Sequence, residues 1–547
     1  MAWLHTWTGL VTGWILFFVF VTGTAGYVDD EITRWMQPEL PLSIKAERRD
    51  DARTIDLALK RLEQVAPNAR KWTINLPHYG IEPRGEQGLS IAWQELPRRT
   101  GEFGLRGREN LDATTGQVQP EIEPRATGGG RTLYRMHYLL RYMPSNVAIM
   151  LVGMCTMLML LAVITGVITH KKIFSDFFTF RPRKGQRSWL DAHNVVSVMS
   201  LPFFLMITYT GLVFFAFNYM PAARDTIFSE NPRSFFRELR GLNIVYEPVT
   251  PPRISLSQLK DKVENEWRYG AVSTIELSNP KGQTPFVEFL PAIASGVNLI
   301  NRQGETYSAV DGTKVERSDL PSGAANARGT LVSLHEGNFA NWWLRWLYFI
   351  SGLLGCAVIG TGLVLWTVKR RTQHQKRSAK AGDQSLSARF DAAGLRLVEI
   401  LNAGTLAGLP LGVAGYFWAN RLLPVAIAER ASWEVNVLFI LWGWALLYAS
   451  VRPLKKAWIE LLYATVAAYA LIPLLNWATT DKHLGNTLPH GDWALAGFDL
   501  TMLALAAIFF YMALKLKRKW LVLENTLVKP IKPAKPEGSP ILSDIKS

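Results

Sequence analysis

Nine histidines occur in the 547 residues, and four of them fall in a pattern with chemical meaning. Thr22-Gly23 follows His5 by 17 residues, and Thr210-Gly211 follows His193 by the same 17. Thr165-Gly166 follows His137 by 28 residues, and Thr361-Gly362 follows His335 by 26. All four Thr-Gly pairs lie in long apolar segments, so the pattern reads as two copies of a two-helix unit. Neutral imidazole is a good ligand for iron, and its second nitrogen can be held by a neighbouring acceptor. Two imidazoles brought to opposite sides of one iron make a bis-histidine haem site. A di-zinc or di-iron centre is the chemical rival, but such centres draw on carboxylates or cysteines. Near these histidines only Glu336 and Asp191 qualify, and Glu336 falls on a different helix face from its neighbour His335.

Positioning four such side chains requires membrane helices. Hydrophobic residues make up 48% of the chain, and its mean hydropathy of +0.07 is too mild for a pure membrane bundle and too high for an ordinary soluble enzyme. Eight segments have the roughly 20 apolar residues that a span needs, at about 7–27, 147–169, 195–217, 346–367, 397–418, 435–451, 457–476 and 494–514. The 20 tryptophans suit interfacial belts, Trp342, Trp343 and Trp346 among them. Only Met1–Thr6 precede the first span, without Lys or Arg, so it reads as a retained anchor rather than a signal peptide. Glu399, Glu460 and Asp499 fall near span ends and read as interfacial side chains reaching for water. Cys155 and Cys356 lie inside apolar segments as small core residues, and the absence of C-x-x-C-H argues against covalently attached haem.

The net charge of +15 is concentrated beside the spans, at 169–192, 369–396, 452–456 and 515–519. Alternation of eight spans puts all four basic segments on one side, as the positive-inside rule demands. The charge therefore describes topology, and no nucleic-acid motif competes with that reading. Both termini are then cytoplasmic in a bacterial-type inner membrane, and 28–146 and 218–345 face outward. Each outward region reads as a small α+β domain. The first has a helix at 51–65 and strands at 71–77, 88–96 and 111–118, with a turn at Thr115-Gly116. The second has a helix at 255–266 and strands near 284–290, 297–301 and 305–310, with turns at Gln303-Gly304 and Asp311-Gly312. The fold expected is a polytopic α-helical membrane protein of about eight transmembrane helices with two periplasmic α+β domains. Its parts are span 1 (1–27), the first outward domain (28–146), spans 2 and 3 with a basic loop (147–217), the second outward domain (218–345), span 4 (346–368), a basic linker (369–396), spans 5–8 (397–514) and a cytoplasmic tail (515–547).

This topology sorts the histidines. His5 and His193 begin outward-running helices near the cytoplasmic face. His137 and His335 precede inward-running helices near the outer face. Each face thus receives two imidazoles, enough for two b-type haems in all. His170 is an alternative ligand at the inner face. Arg135, Arg141 and Arg345 on the outer side, and Arg187 on the inner side, are candidate partners for haem propionates through charge-assisted bonds, with membrane-edge anchoring as the plainer role. His374 reads as solvated in a basic tail, and His78, His483 and His490 as residues of outward loops.

Several stretches resemble the PepSY-associated transmembrane family. They are LHTWTGLVTGWILFFVFVTGTAGY at 4–27, LYRMHYLL at 133–140, the HKKIF…FRP…LDAHN block within 169–215, and LHEGNFANWWLRWLYFISGLLGCAVIGTGLVLW at 334–366. LDATTGQV at 111–118 is similar to a strand pair of a PepSY domain. The resemblance covers about residues 1–370. It implies PepSY-like outward domains and haem ligands at His5, His137, His193 and His335. It further implies electron transfer across the membrane to periplasmic Fe(III), as in the family's ferric-siderophore reductases. The acceptor expected is a ferric siderophore or another small oxidant, and the donor a flavin reductase or membrane quinol. No G-x-G-x-x-G follows a strand, so a built-in dinucleotide domain is not expected. An iron or siderophore permease component and a membrane-anchored PepSY regulatory module are the alternatives. Spans 5–8 contain no histidine and cannot supply imidazole to a third intramembrane haem.

Overall fold

The computed structural model describes residues 1–42, 50–77, 88–97, 104–120, 122–169, 186–227, 245–292, 304–315, 323–381 and 386–527. Within them, seven helices are long and apolar enough to cross a membrane, and a bent helix pair makes an eighth. Span 1 is Ala2–Ala25, span 2 Ser145–Thr169, and span 3 the pair Gln186–Met199 and Leu201–Phe214. Span 4 opens the helix Trp342–Ala381. Span 5 combines Leu386–Leu406 with Gly408–Leu422, span 6 is Arg430–Val451, span 7 joins Leu454–Ala470 to Ile472–Thr479, and span 8 opens Trp493–Leu527.

The eight expected segments are all helical, but span 3 is not one straight rod. Its halves meet at 66°. The break falls at Ser200, just before Leu201-Pro202. A proline two residues into the second half has no N–H to give and its ring displaces the carbonyl one turn back, so the helix restarts there.

Spans 1–4 form a bundle in which span 1 lies between spans 2 and 4, the first half of span 3 lies on span 4, and its second half lies on span 2. Two short helices, Gly129–Leu139 and Gly323–Glu336, precede spans 2 and 4 and fold back against span 1 and the second half of span 3 respectively. They carry His137 and His335. Spans 5–8 pack on the outside of span 1, where Phe18 stacks on Trp442 with centroids 5.5 Å apart and Trp14 Nε1 donates to Asn402 over 2.9 Å.

A buried polar seam joins spans 5–8 to the helix Asp29–Met36 that leaves span 1. Asp499 is fully buried, accepting hydrogen bonds from Trp35 Nε1 and from Asn476, both at 2.9 Å. The expectation that it reaches for water is therefore corrected: the indole and the amide replace water as its donors. The Trp35 ring lies between Phe498, at 4.4 Å, and the Arg421 guanidinium, at 3.7 Å. Arg34 pairs with Asp492 at 2.7 Å, and Arg430 with Glu434 at 2.5 Å. Glu399 and Glu460 are held by Arg371 and Arg452. Cys155 and Cys356 are free thiols in spans 2 and 4.

The two regions outside the bundle contribute to one antiparallel sheet. Its strands are β1 Ala69–Asn75, β2 Leu89–Glu95, β3 Arg106–Leu111, β4 Tyr246–Glu247, β5 Val272–Pro280, β6 Phe286–Pro291 and β7 Glu305–Ser308. The order is β3-β2-β1-β5-β6-β7, with β4 on β5. Two separate α+β domains were expected from the sequence; instead β1 and β5 join them edge to edge, with Ile74 opposite Ile275. Pairing two inner edges removes both as exposed backbone ladders. The helices Asp51–Val65 and Leu256–Glu266 cover one face, burying Ile55, Leu62, Leu256 and Val263 against Trp72, Ile91, Leu277 and Phe289. Lys260, buried between Asp51 at 2.7 Å and Glu264 at 2.9 Å, ties the two helices together.

Both helices match their expected ranges, with Asp50 and Ser255 as N-caps. The strands match less well. The expected turn at Thr115-Gly116 is present, closed by Asp112 and with Leu111 bridged to Val118, but the expected strand around it is not extended over 112–117, and β3 and β5 were not expected at their observed positions. The expected strand at 297–301 lies outside the described residues.

Candidate cofactor site

Each of the four patterned histidines docks on a neighbouring span at a Thr-Gly pair. The docking is reciprocal within each unit. His5 of span 1 lies on Gly166 of span 2, and His137 beside span 2 lies on Gly23 of span 1. His193 of span 3 lies on Gly362 of span 4, and His335 beside span 4 lies on Gly211 of span 3. The sequence spacing had paired each histidine with the Thr-Gly of the helix it belongs to; the structure pairs it with that of the other helix. Glycine is required at the closest of these contacts. A Cβ at Gly23 would stand 2.4 Å from His137 Nδ1, and one at Gly211 3.0 Å from His335 Cε1.

The hydrogen bonds repeat with the same register. His5 Nδ1 donates to Ala162 O (2.8 Å), His137 Nδ1 to Val19 O (2.7 Å), and His193 Nδ1 to Val358 O (3.1 Å). His335 Nδ1 bonds the Thr210 hydroxyl instead, at 3.0 Å. Each of the three carbonyls belongs to the residue four before the docking glycine. A carbonyl only accepts, so Nδ1 must carry the proton. That tautomer leaves Nε2 with its lone pair, the form that binds a metal. Among the described residues no hydrogen bond engages any of the four Nε2 atoms.

On the side of the bundle nearer the sheet, the rings of His137 and His335 have centroids 6.0 Å apart, tilted by 43°. Two metal–nitrogen bonds of about 2 Å each, plus the depth of a ring on either side, sum to about 6 Å. Both rings line a partly open cavity of about 100 Å³, with Gly23, Gly211, Phe203 and Tyr138 among the walls. On the opposite side, His5 and His193 lie close enough for their charges to interact. The Glu336 carboxylate lines the sheet-side cavity with His137 and His335 but is held by Tyr134 and Asn338, so among the described residues the free donors there are the two imidazoles; such a pair could hold a haem iron, whereas zinc draws on three or four side chains. No cluster of three or more His, Cys, Asp or Glu with metal-ligand geometry occurs among the described residues.

A family model described as the PepSY-associated TM region matches residues 2–369. The chain belongs to this family. Its matched part ends with span 4, so the PepSY-associated region contains all four patterned histidines and the whole sheet, and spans 5–8 lie beyond it. It is a polytopic helical membrane protein. A protein of Pseudomonas aeruginosa whose function is uncharacterized is 25% identical over 390 residues, covering 67% of this chain and 89% of its own.

The candidate propionate partners divide. Arg345 is buried, and its guanidinium binds Glu31 through both carboxylate oxygens (2.7 and 2.8 Å) and the Tyr27 carbonyl. It thus supports the turn after span 1, its guanidinium already engaged by a carboxylate of the chain. Arg135, Arg141 and Arg187 are exposed, Arg141 lying over the Tyr142 ring at 5.5 Å. His170 and His78 lie outside the described residues. His483 caps the helix Leu484–His490 by accepting from Gly485 N, and His490 bonds the Asn486 carbonyl. Sequence reasoning missed Arg328. It sits seven residues before His335 on the same helix face and donates to the Phe214 carbonyl at 3.0 Å, while the Phe214 ring lies 6.1 Å from that of His335. Spacing of two turns from a ligand was the available signal.

Proposed function

We propose that this chain holds two b-type haems, one between His5 and His193 and one between His137 and His335, and carries electrons across the inner membrane to a ferric siderophore or similar small Fe(III) chelate. One observation carries the reading: the His137 and His335 rings stand 6.0 Å apart, the separation of two imidazoles sharing one iron. Bound haem would supply an iron that takes up and releases single electrons, which side chains do not do stably.

The residues of the chain supply the rest. Three backbone carbonyls and the Thr210 hydroxyl fix the tautomer and orientation of the imidazoles. Four glycines let the rings approach the helix backbones. Measured from His5 to the Gly23 cradle, eighteen residues of helix separate the two levels by about 27 Å, comparable with an apolar core of about 30 Å. Basic segments at the His5 end favour a cytoplasmic placement for it. With haem bound, electrons from a flavin enzyme or quinol would enter at the His5/His193 level and leave on the sheet side in the periplasm.

The test is haem stoichiometry of the purified full-length protein, with visible spectra before and after dithionite reduction. Wild type should carry two haems per chain. His137→Ala and His335→Ala should each lose the same one, and His5→Ala and His193→Ala the other. Protein purified from haem-replete cells with an empty Soret region overturns the reading.

A further inference from the structure

The four docked histidines are not equivalent, and the difference follows the repeat. In the second unit the threonine of each Thr-Gly pair reaches its histidine: Thr361 Oγ1 is 3.1 Å from His193 Nδ1, and Thr210 Oγ1 is 3.0 Å from His335 Nδ1. In the first unit Thr165 and Thr22 bond their own helix carbonyls, and among the described residues neither contacts His5 or His137. We propose that Thr210 and Thr361 are positioning residues that set the reduction potentials of the two irons, one each. The inference rests on the haem reading above.

The chemistry follows from the donor balance. Thr210 Oγ1 lies 2.7 Å from the Met206 carbonyl, and Thr361 Oγ1 lies 2.7 Å from the Ala357 carbonyl. Each hydroxyl gives its one proton to that carbonyl, so toward the imidazole it acts only as an acceptor. The Nδ1–H of His335 is therefore given to the Thr210 hydroxyl, and that of His193 is shared between the Thr361 hydroxyl and the Val358 carbonyl. An acceptor on Nδ1–H pushes electron density into the ring, which strengthens Nε2 as a donor and favours Fe(III) over Fe(II). Each iron would thus have one ligand supported by a carbonyl alone, from the first unit, and one supported by a hydroxyl, from the second: by the hydroxyl alone at His335, and by the hydroxyl with a carbonyl at His193.

All four threonines make the same bond to their own helix, so the first-unit pair controls for its loss. The experiment is a potentiometric titration, followed in the visible spectrum, of full-length Thr210→Val, Thr361→Val, Thr22→Val and Thr165→Val. Haem per chain is measured on each sample. Thr210→Val should raise one of the two potentials and leave the other. Thr361→Val should raise the other one. Thr22→Val and Thr165→Val should move neither, and Thr210→Ser and Thr361→Ser should restore the wild-type values. Wild type with two haems and equal shifts, or no shifts, in all four valine variants overturns this inference while sparing the haem assignment. Wild type without haem overturns the assignment itself.

Discussion

At the scale of single residues, the cradle glycines differ in how tightly they hold their rings. The nearest ring atom would lie 2.4 Å from a Cβ at Gly23, 3.0 Å at Gly211, 3.3 Å at Gly166 and 3.4 Å at Gly362. His137 has no slack to absorb the first of these, because its Nδ1 is tied to Val19 O on the same turn of span 1. Gly23→Ala should therefore lose the sheet-side haem, whereas Gly362→Ala should keep two haems per chain; equal retention in both variants would show the cradle to be soft. The histidines themselves were legible in the sequence because a repeated spacing of 17 residues survives in the linear chain. Their docking partners were not, since a Thr-Gly pair downstream of a histidine gives no sign that it serves the other helix. The partner of Arg345 was not legible for a related reason: Glu31 is 314 residues away, and only folding brings the two charges together.

At the scale of elements, the two halves of the sheet end in matching turns. Asp112 follows β3, and hydrogen bonds from the Thr114 hydroxyl, then the Thr115 and Thr114 N–H groups, hold its carboxyl well below the usual range. Asp311 follows β7 and is lowered by Ser308 and by Thr313. A folded pKa below the unfolded one means that stabilisation is complete above the ordinary carboxylate range, about 4, and fades as pH falls through the lowered values. Hydrogen exchange on the full-length chain, corrected for intrinsic rates, should show β3 and β7 losing protection below about pH 4. Asp112→Asn should remove that pH dependence from β3 alone, and protection that stays flat down to pH 2.5 in wild type would contradict the argument. The strand β3 escaped detection because it is an edge: its residues alternate between exposed and half-buried, so RGRENL shows no apolar period. The helix 51–65 was legible from its apolar face alone, while the β1–β5 pairing joins segments some 200 residues apart and leaves no local trace.

At the scale of the whole molecule, spans 5–8 brace the link between membrane bundle and sheet rather than lining the cavity of His137 and His335. Glu434 lies at the centre of the brace, accepting from Arg430, Asn420, Thr127 and the Gly128 N–H. Arg430→Ala would strand that carboxylate in a fully buried position, a loss of about 3–5 kcal/mol. A lowered thermal midpoint with two haems still bound is the expected result, and loss of haem in parallel would place these spans inside the cofactor architecture. The eight spans were readable from apolar length, but the brace was not, because buried charges near helix ends look like ordinary interfacial residues. The reciprocal docking has one more consequence. Each repeat carries one histidine of either pair, so half of this polypeptide, taken alone, would hold half of each proposed coordination sphere. It would need a two-fold homodimer to complete them, its strands meeting across the axis as β1 and β5 meet here. Fusing the halves in tandem makes assembly independent of concentration and lifts the demand for identity between them, leaving each free to acquire hydroxyls, spans or surfaces that its twin lacks.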